Sequence, residues 1–273
     1  MGKVIGIVNQ KGGVGKTTTT VSLAAALALQ GAKIIVVDFD PQANLTSGIL
    51  SPTPETLEYT ITEMMEDVLN RKPCTYNLAE KEGFRIIPSK IDLSAAEMTL
   101  QTVMSRETVL KRVLEPLRQE ADVILIDCPP SLGILNINAL TAADSVIVPV
   151  TPDYYAPKGL ELLLNSITGV REALNPTLQI EGVLITKADK RGKFYKEGID
   201  FIQNEIGKVC PVFETEIPVS VSSAQAPAEQ MTIFAFDKRS PAARAYESLA
   251  KEIASRIPEL ATRQSHEQSE RGE

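Results

Sequence analysis

Histidine occurs once in the 273 residues, at His266, inside the polar terminal run ATRQSHEQSERGE. That excludes histidine-dependent triads and His-ligated zinc, which both need a rigidly held imidazole. Cysteine is almost as scarce. Cys74, Cys128 and Cys210 lie far apart and form no Cys-x-x-Cys pair, so neither a disulfide framework nor a cysteine-rich metal site is expected. This usage fits a reducing compartment, and a cytoplasmic protein is expected. No apolar run approaches the roughly 18 to 20 residues that cross a bilayer, and the N-terminus enters the short stretch VIGIV without a signal peptide's longer core. Positive charge is also in deficit: 28 Lys and Arg stand against 35 Asp and Glu, a formal net of −7. A protein that coats nucleic acid with its whole surface is thereby excluded, and any such contact must be a local basic patch.

The chain does have an ordinary globular balance, 43% hydrophobic and 23% charged, and enough length to bury a large core. Short runs rich in Val and Ile recur at Val4 to Val8, Ile34 to Val37, Val123 to Ile126, Val146 to Val150 and Val183 to Ile185. Apolar strands of this length, separated by helical segments, predict a single α/β domain: a doubly wound, mostly parallel sheet flanked by helices. Thr17 to Gln30 is rich in Ala and Leu and ends at Gly31, a suitable left-handed stop for a helix following the first strand. Further helices are predicted at about Ser94 to Arg118, Gly159 to Leu174, Lys196 to Ile206 and Pro241 to Ile257. Ser51 to Lys81, with Pro52, Pro54 and Pro73, is less regular and reads as a variable insertion. The folded domain is expected over 1–257, with 258–273 a polar, disordered tail.

Between the strand VIGIVNQ and its helix lies Lys11-Gly12-Gly13-Val14-Gly15-Lys16-Thr17-Thr18. Glycines let consecutive backbone N–H groups converge on phosphate oxygens, and the following helix adds its positive end. Lys16 can then reach β and γ phosphates, and Thr17 can ligate Mg²⁺. The segment reads as a nucleotide site. The general pattern G-x-x-x-x-G-K-[ST] wants glycine at position 10, where this chain has Gln10; a second lysine, Lys11, opens the glycine run. Two acidic segments follow. The strand IIVV leads into Asp38-Phe39-Asp40-Pro41-Gln42, where alternation points Asp38 and Asp40 the same way. VILIDCPP sets Asp127 after four apolar residues, the arrangement for a carboxylate holding Mg²⁺ directly or through water. Pro129 and Pro130 then start a loop able to sense the γ-phosphate. Cys128 reads as a small buried residue.

The loop with its second lysine resembles the deviant phosphate loop of the ParA/MinD group of ATPases, and the resemblance runs from Val4 to about Ile257. It implies a P-loop ATPase using ATP and Mg²⁺, with catalytic roles for Lys11, Lys16 and Asp40. Lys11 would cross a dimer interface to the partner's nucleotide, Asp40 of the DxDPQ segment would position or polarise the attacking water, and Asp38 would support the site. Gly12, Gly13, Val14, Gly15 and Thr18 complete the phosphate cradle, while Thr17 and Asp127 hold the metal. Thr186, Lys187 and Asp189 of the T-K-x-D run, together with Pro218, fall in the regions that contact adenine in the family. PVTPDYYAPKGL resembles the family's PV-x-x-E-YYA-x-x-G stretch, with Asp153 where Glu is common. A place near the dimer interface is implied, with simple packing the alternative for Tyr154 and Tyr155.

Members of the group commonly use the ATP-bound homodimer to bind DNA without sequence preference and to partition plasmids or chromosomes with a ParB-like partner. The candidate surface here is Lys187, Lys190, Arg191, Lys193 and Lys196, interrupted by Asp189 and carrying Phe194 and Tyr195; Lys238, Arg239 and Arg244 could join it. One departure stands out. Chromosomal relatives usually read IPRNVRLSEAP, whereas this chain reads IPVSVSSAQAP from Ile217 to Pro227, with Val219 and Ser222 at the arginine positions. DNA binding is expected to be weaker, relocated or lost, and nucleoid association depends on it. The alternative reading is a MinD-like ATP-driven switch that positions a protein cargo without DNA. Its membrane form would need a basic amphipathic C-terminal helix, and the polar end here leads us to expect no membrane partner. A reductase-type ATPase with the same loop would need paired cysteines to bridge a cluster.

Overall fold

The Val- and Ile-rich runs form the predicted sheet. A computed structural model describes residues 1–51, 54–76, 78–152, 156–192, 195–258 and 260–262. Its strands are β1 (Lys3–Ile7), β2 (Ile34–Asp38), β3 (Ala79–Lys81), β4 (Phe84–Ile87), β5 (Val123–Asp127), β6 (Ser145–Val150) and β7 (Gln179–Ile185). They make one seven-stranded sheet in the order β3-β4-β2-β5-β1-β6-β7, parallel except for the β3–β4 pair. Helices α1 (Lys16–Leu29), α2 (Asn44–Ile49), α3 (Ile61–Leu69), α4 (Leu93–Leu100), α5 (Val109–Leu114), α6 (Ile134–Ala142), α7 (Ala156–Ala173), α8 (Tyr195–Asn204), α9 (Val221–Gln225), α10 (Ile233–Asp237) and α11 (Pro241–Ala254) connect and cover it.

Each central strand feeds two cores because its side chains alternate across the sheet. Val4, Ile35, Val37, Ile124 and Ile126 join the face that packs α3, α5 and α6, whereas Ile5, Ile7, Ile34, Val36, Val123 and Leu125 join the face under α1 and α11. Burial on both faces explains why these strands read as unbroken apolar runs. The chain passes from β1 toward β2 on one side while β6 lies on the other, so the loop after β1 opens at a switch point, at the carboxyl ends of the strands. Register then sets the acidic residues side by side: Asp38 pairs with Asp127 across β2 and β5, and Ile7 of β1 pairs with Asp127 from the other side.

Several elements depart from the sequence expectation. The helix expected over Ser94 to Arg118 is broken into α4, a turn, α5 and short 3-10 segments. Ser105 sits in the left-handed region at φ 57, and Pro116 heads the last segment. Asn138 from α6 takes over helix hydrogen bonds there: its Oδ1 accepts the Leu110 N–H at 3.1 Å and its Nδ2 donates to the Arg106 carbonyl at 2.8 Å. Ser51 to Lys81 is not irregular throughout. Thr60 and Glu63 form a capping box that starts α3, and Ile61, Met64, Met65 and Val68 are buried. β3 and β4 form a hairpin whose two turn residues, Glu82 and Gly83, both have positive φ, as a type I′ turn requires. Leu260 is buried in the α1/α11 core, three residues past the expected domain end.

Candidate active site

The loop from Val8 to Gly15 is held from both sides before any ligand arrives. The Val8 N–H donates to the Ile147 carbonyl at 3.0 Å. Asn9, 7% exposed, donates through Nδ2 to the Pro149 carbonyl at 2.6 Å and accepts the Lys11 N–H on Oδ1 at 2.9 Å. Thr186 donates its hydroxyl to the Val14 carbonyl at 2.7 Å. Gly13 and Gly15 lie at φ 72 and 86, which other residues adopt only with strain, and a Cβ on Gly12 or Gly13 would meet nothing within 4 Å. The loop therefore presents backbone amides to open space, in the form a phosphate group needs.

Lys16 is 7% exposed and curls back to donate to the Lys11 carbonyl at 3.2 Å. Burial lowers its ammonium pKa, with Asp127, Cys128 and Asp40 opposing that shift. Lys11 is exposed at the loop's outer edge, where Nζ lies 3.3 Å from the Thr151 hydroxyl. With Asn9, Val150 and Gly159 it lines a cleft of about 290 Å³.

Asp127 and Asp40 act on the Lys16 ammonium, and Asp38 lies beside those two carboxylates. Asp38 is fully buried; its Oδ2 accepts the Thr46 N–H at 2.8 Å and hydroxyl at 2.7 Å, and its Oδ1 accepts the Asp40 N–H at 3.3 Å. Burial still pushes its carboxyl up to about 6, against the pull of those hydrogen bonds. Asp40, 7% exposed, is steadied by the Gln42 N–H on Oδ1 at 2.9 Å. Asp127 is the least satisfied. Its Oδ1 lies 3.5 Å from the Thr20 hydroxyl, Thr17 hydrogen-bonds to the carboxylate, and Oδ2 is buried with no partner. Burial first, then Asp38 and Asp40, hold its carboxyl well above the ordinary range. An orphaned anionic oxygen beside the Thr17 hydroxyl fits a divalent cation. Among the described residues no three His, Cys, Asp or Glu side chains are grouped to hold a metal alone. Mg²⁺ here would draw the rest of its oxygen shell from phosphate and water, as it usually does.

A second cleft, of about 360 Å³, opens beside the loop; Gly15, Thr18, Thr186, Lys187, Ile217 and Pro218 are among its lining residues. It lies within the size range of ligand pockets. Of the residues that the resemblance assigns to the base, Asp189 is not among those lining it. Its carboxylate instead accepts the Arg191 N–H and Nε at 3.1 and 3.2 Å. Lys187, at φ 51, is exposed, as are Lys190, Arg191 and Lys196. Val219 is 61% exposed, and the Ser222 hydroxyl donates to Asp237 at 3.1 Å. Asp153, Tyr154, Tyr155, Lys193, Phe194 and His266 lie outside the described residues.

Sequence reasoning passed over two buried asparagines that hold the site. Asn9 braces the phosphate loop as above. Asn136, 4% exposed, donates to the Pro129 carbonyl at 3.0 Å and also to the Ser131 carbonyl, anchoring the loop after Asp127 to α6. Their signal is weak: a polar residue directly after a strand, and one inside an apolar helix. Cys128 is buried and its thiol pKa is raised by that burial and by Asp127, as befits an unreactive packing residue.

Comparisons with known proteins agree with this geometry. A family model described as an AAA domain (AAA_31) matches residues 2–180. The sporulation initiation inhibitor protein Soj of Bacillus subtilis is 46% identical over 93% of this chain and 99% of its own length. The chromosome-partitioning ATPase Soj of Treponema pallidum is 41% identical over 94% and 98%. Among solved structures, cobyrinic acid a,c-diamide synthase of Mycobacterium smegmatis with bound ATP analog and magnesium superposes with a TM-score of 0.80 at 35% identity, over 93% of this chain and 95% of that one. With its phosphate loop, paired strand-end carboxylates and full-length similarity, this chain belongs to the ParA/Soj family of P-loop ATPases.

Proposed function

We propose that this ParA-like ATPase binds Mg-ATP on the Lys11–Thr18 loop, hydrolyses it slowly as a sandwich homodimer, and drives DNA partition with a ParB-like partner. The observation that carries the reading is the buried, unpartnered Oδ2 of Asp127 beside Thr17 and a desolvated Lys16. A divalent cation would give the Asp127 oxygen the partner it lacks, and a polyphosphate would give the buried Lys16 ammonium an anionic ligand beyond the Lys11 carbonyl it now meets. Bound Mg²⁺ would neutralise charge on the phosphates. The chain's own residues do the remainder. Loop amides and Lys16 fix the phosphates, Thr17 and Asp127 hold the cation, and Asp40, steadied by Gln42, orients the attacking water. Adenine takes the cleft beside Thr186 and Pro218. Lys11, exposed at the outer edge, reaches the partner's nucleotide, so turnover depends on dimerisation and is raised further by the partner protein.

Nonspecific DNA binding is assigned to Lys187, Lys190, Arg191, Lys193 and Lys196 on the dimer. The alternative, a MinD-like switch that positions a protein cargo without DNA, draws support from two observations: Val219 is exposed where the resemblance expects arginine, and Arg191 is paired with Asp189. Among the described residues no helix is long and apolar enough to cross a membrane. DNA binding measured across salt, with Mg-ATP and with Mg-ADP, separates the two. Binding that needs ATP, weakens steeply with salt and falls in a Lys190→Ala/Arg191→Ala variant supports DNA partition. No ATP-dependent binding at low salt favours the cargo switch and leaves the ATPase standing.

A further inference from the structure

We propose that Ser89 and Thr46 are positioning residues for hydrolysis, tethering the Asp40 loop from two separate elements. The proposal rests on the ATPase reading above. Neither residue belongs to the phosphate loop or to the acidic segments read from the sequence, and both are fully buried.

The tether is a closed ring of hydrogen bonds. The Thr46 hydroxyl, on α2, donates to Asp38 Oδ2 at 2.7 Å, and the Thr46 Oγ1 in turn accepts the Ser89 N–H at 2.9 Å. The Ser89 hydroxyl donates to the Asp40 carbonyl at 3.0 Å, and the Asp40 N–H returns to Asp38 Oδ1 at 3.3 Å. A carbonyl and an ionised carboxylate can only accept, so both hydroxyl protons have a fixed direction. The backbone of Asp40 is gripped at its N–H and at its carbonyl, while Gln42 fixes one oxygen of its side chain.

The Ser89 bond is surplus to the needs of folding. The Asp40 carbonyl already accepts the Ala43 N–H at 2.9 Å, so it stays satisfied without the serine hydroxyl. What the hydroxyl adds is a second anchor point on a distant part of the chain. That part is itself braced. The Pro88 carbonyl accepts the Ile61 N–H at 2.9 Å, and Lys90 pairs with Glu63 at 2.6 Å, the glutamate of the α3 capping box. A carboxylate that orients water acts through placement, and misplacement by 1 Å can slow a reaction on the order of 100-fold. A rigid β4–α4 turn is therefore coupled to the reacting end of β2.

The test uses the full chain with Mg-ATP, reading the single-turnover rate with protein in excess, the Kd for Mg-ATP, and hydrogen exchange of the amides from Phe39 to Ala43. Ser89→Ala is expected to slow hydrolysis roughly tenfold, a fraction of the effect of a full 1 Å displacement, with Kd within about twofold of the parent and faster exchange confined to that loop. Thr46→Val is expected to lose more and Thr46→Ser to recover to within about twofold, since the serine keeps the hydroxyl. A Ser89→Ala protein that hydrolyses at the parent rate, or whose loss lies in Kd rather than in rate, overturns the proposal while the ATPase reading stands. Failure of the parent chain to hydrolyse ATP at all sinks both.

Discussion

Replacing Asp127 with asparagine should stabilise the ligand-free protein and at the same time abolish its response to Mg-ATP. The carboxylate is 1% exposed, one of its oxygens has no partner, and its nearest ionisable neighbours include two further carboxylates, Asp38 and Asp40. Asparagine can keep its oxygen toward the Thr20 hydroxyl while removing the charge. A buried polar group without a partner costs about 1–3 kcal/mol, and more when charged. The new amide N–H₂ also lacks a partner, so only the charge is relieved and the gain falls near the low end, about 1 kcal/mol. For a domain of this size that raises Tm by roughly 2–4 °C. The pH dependence has a definite sign. A carboxyl held above its unfolded value near 3.8 carries a penalty that is present above the folded pKa and relieved as pH falls. The gap between variant and parent should thus be widest at alkaline pH and close on acidification. Thermal melts from pH 5.5 to 8.5, with and without Mg-ATP, provide the assay. Mg-ATP should reverse the order by stabilising the parent alone. An asparagine variant that melts below the parent at every pH without nucleotide, or that gains as much from Mg-ATP, would refute the reasoning.

Three further outcomes follow from the same geometry. Asp38, moved from 3.8 to about 6 by burial, should make the ligand-free protein lose about 3 kcal/mol in all as pH rises through that range, about half of it above pH 5; urea unfolding at pH 5 and 7.5 should show that upper half in the parent and much less of it in Asp38→Asn, and a parent that is more stable at pH 7.5 would contradict it. Thr186→Val removes the hydroxyl that holds the Val14 carbonyl; a net hydrogen bond of about 1 kcal/mol corresponds to roughly fivefold weaker Mg-ATP binding by titration calorimetry, and unchanged affinity would show the brace to be idle. Asp40→Ala, unable to orient water, should accumulate as a dimer in sedimentation with Mg-ATP, and a persistent monomer at saturating nucleotide would count against the sandwich.

Residues proposed to meet the ligand stand out in the sequence, and the polar residues that brace them do not. Lys16, Thr17 and Asp127 carry chemistry that few other side chains supply, and their positions at strand ends follow from short apolar runs buried on both faces. Asn9, Thr46, Ser89 and Asn136 are ordinary polar residues whose roles depend on contacts 2 to 140 residues away along the chain, which no local pattern records. The α4–α5 break was hidden for a related reason: apolar spacing continues through it, while the interruption depends on a left-handed Ser105 and an asparagine from another helix. The β3–β4 hairpin escaped because β3 is three residues long and its turn is Glu-Gly rather than Asn-Gly.

ATP turnover per chain measured against protein concentration tests the central claim most directly. A site completed by the partner's Lys11 predicts a rate that is slow when dilute, rises with concentration toward a plateau, and loses that rise in a Lys11→Ala variant. A rate independent of concentration, or no hydrolysis at any concentration with Mg²⁺ present, would contradict a nucleotide-gated dimeric ATPase.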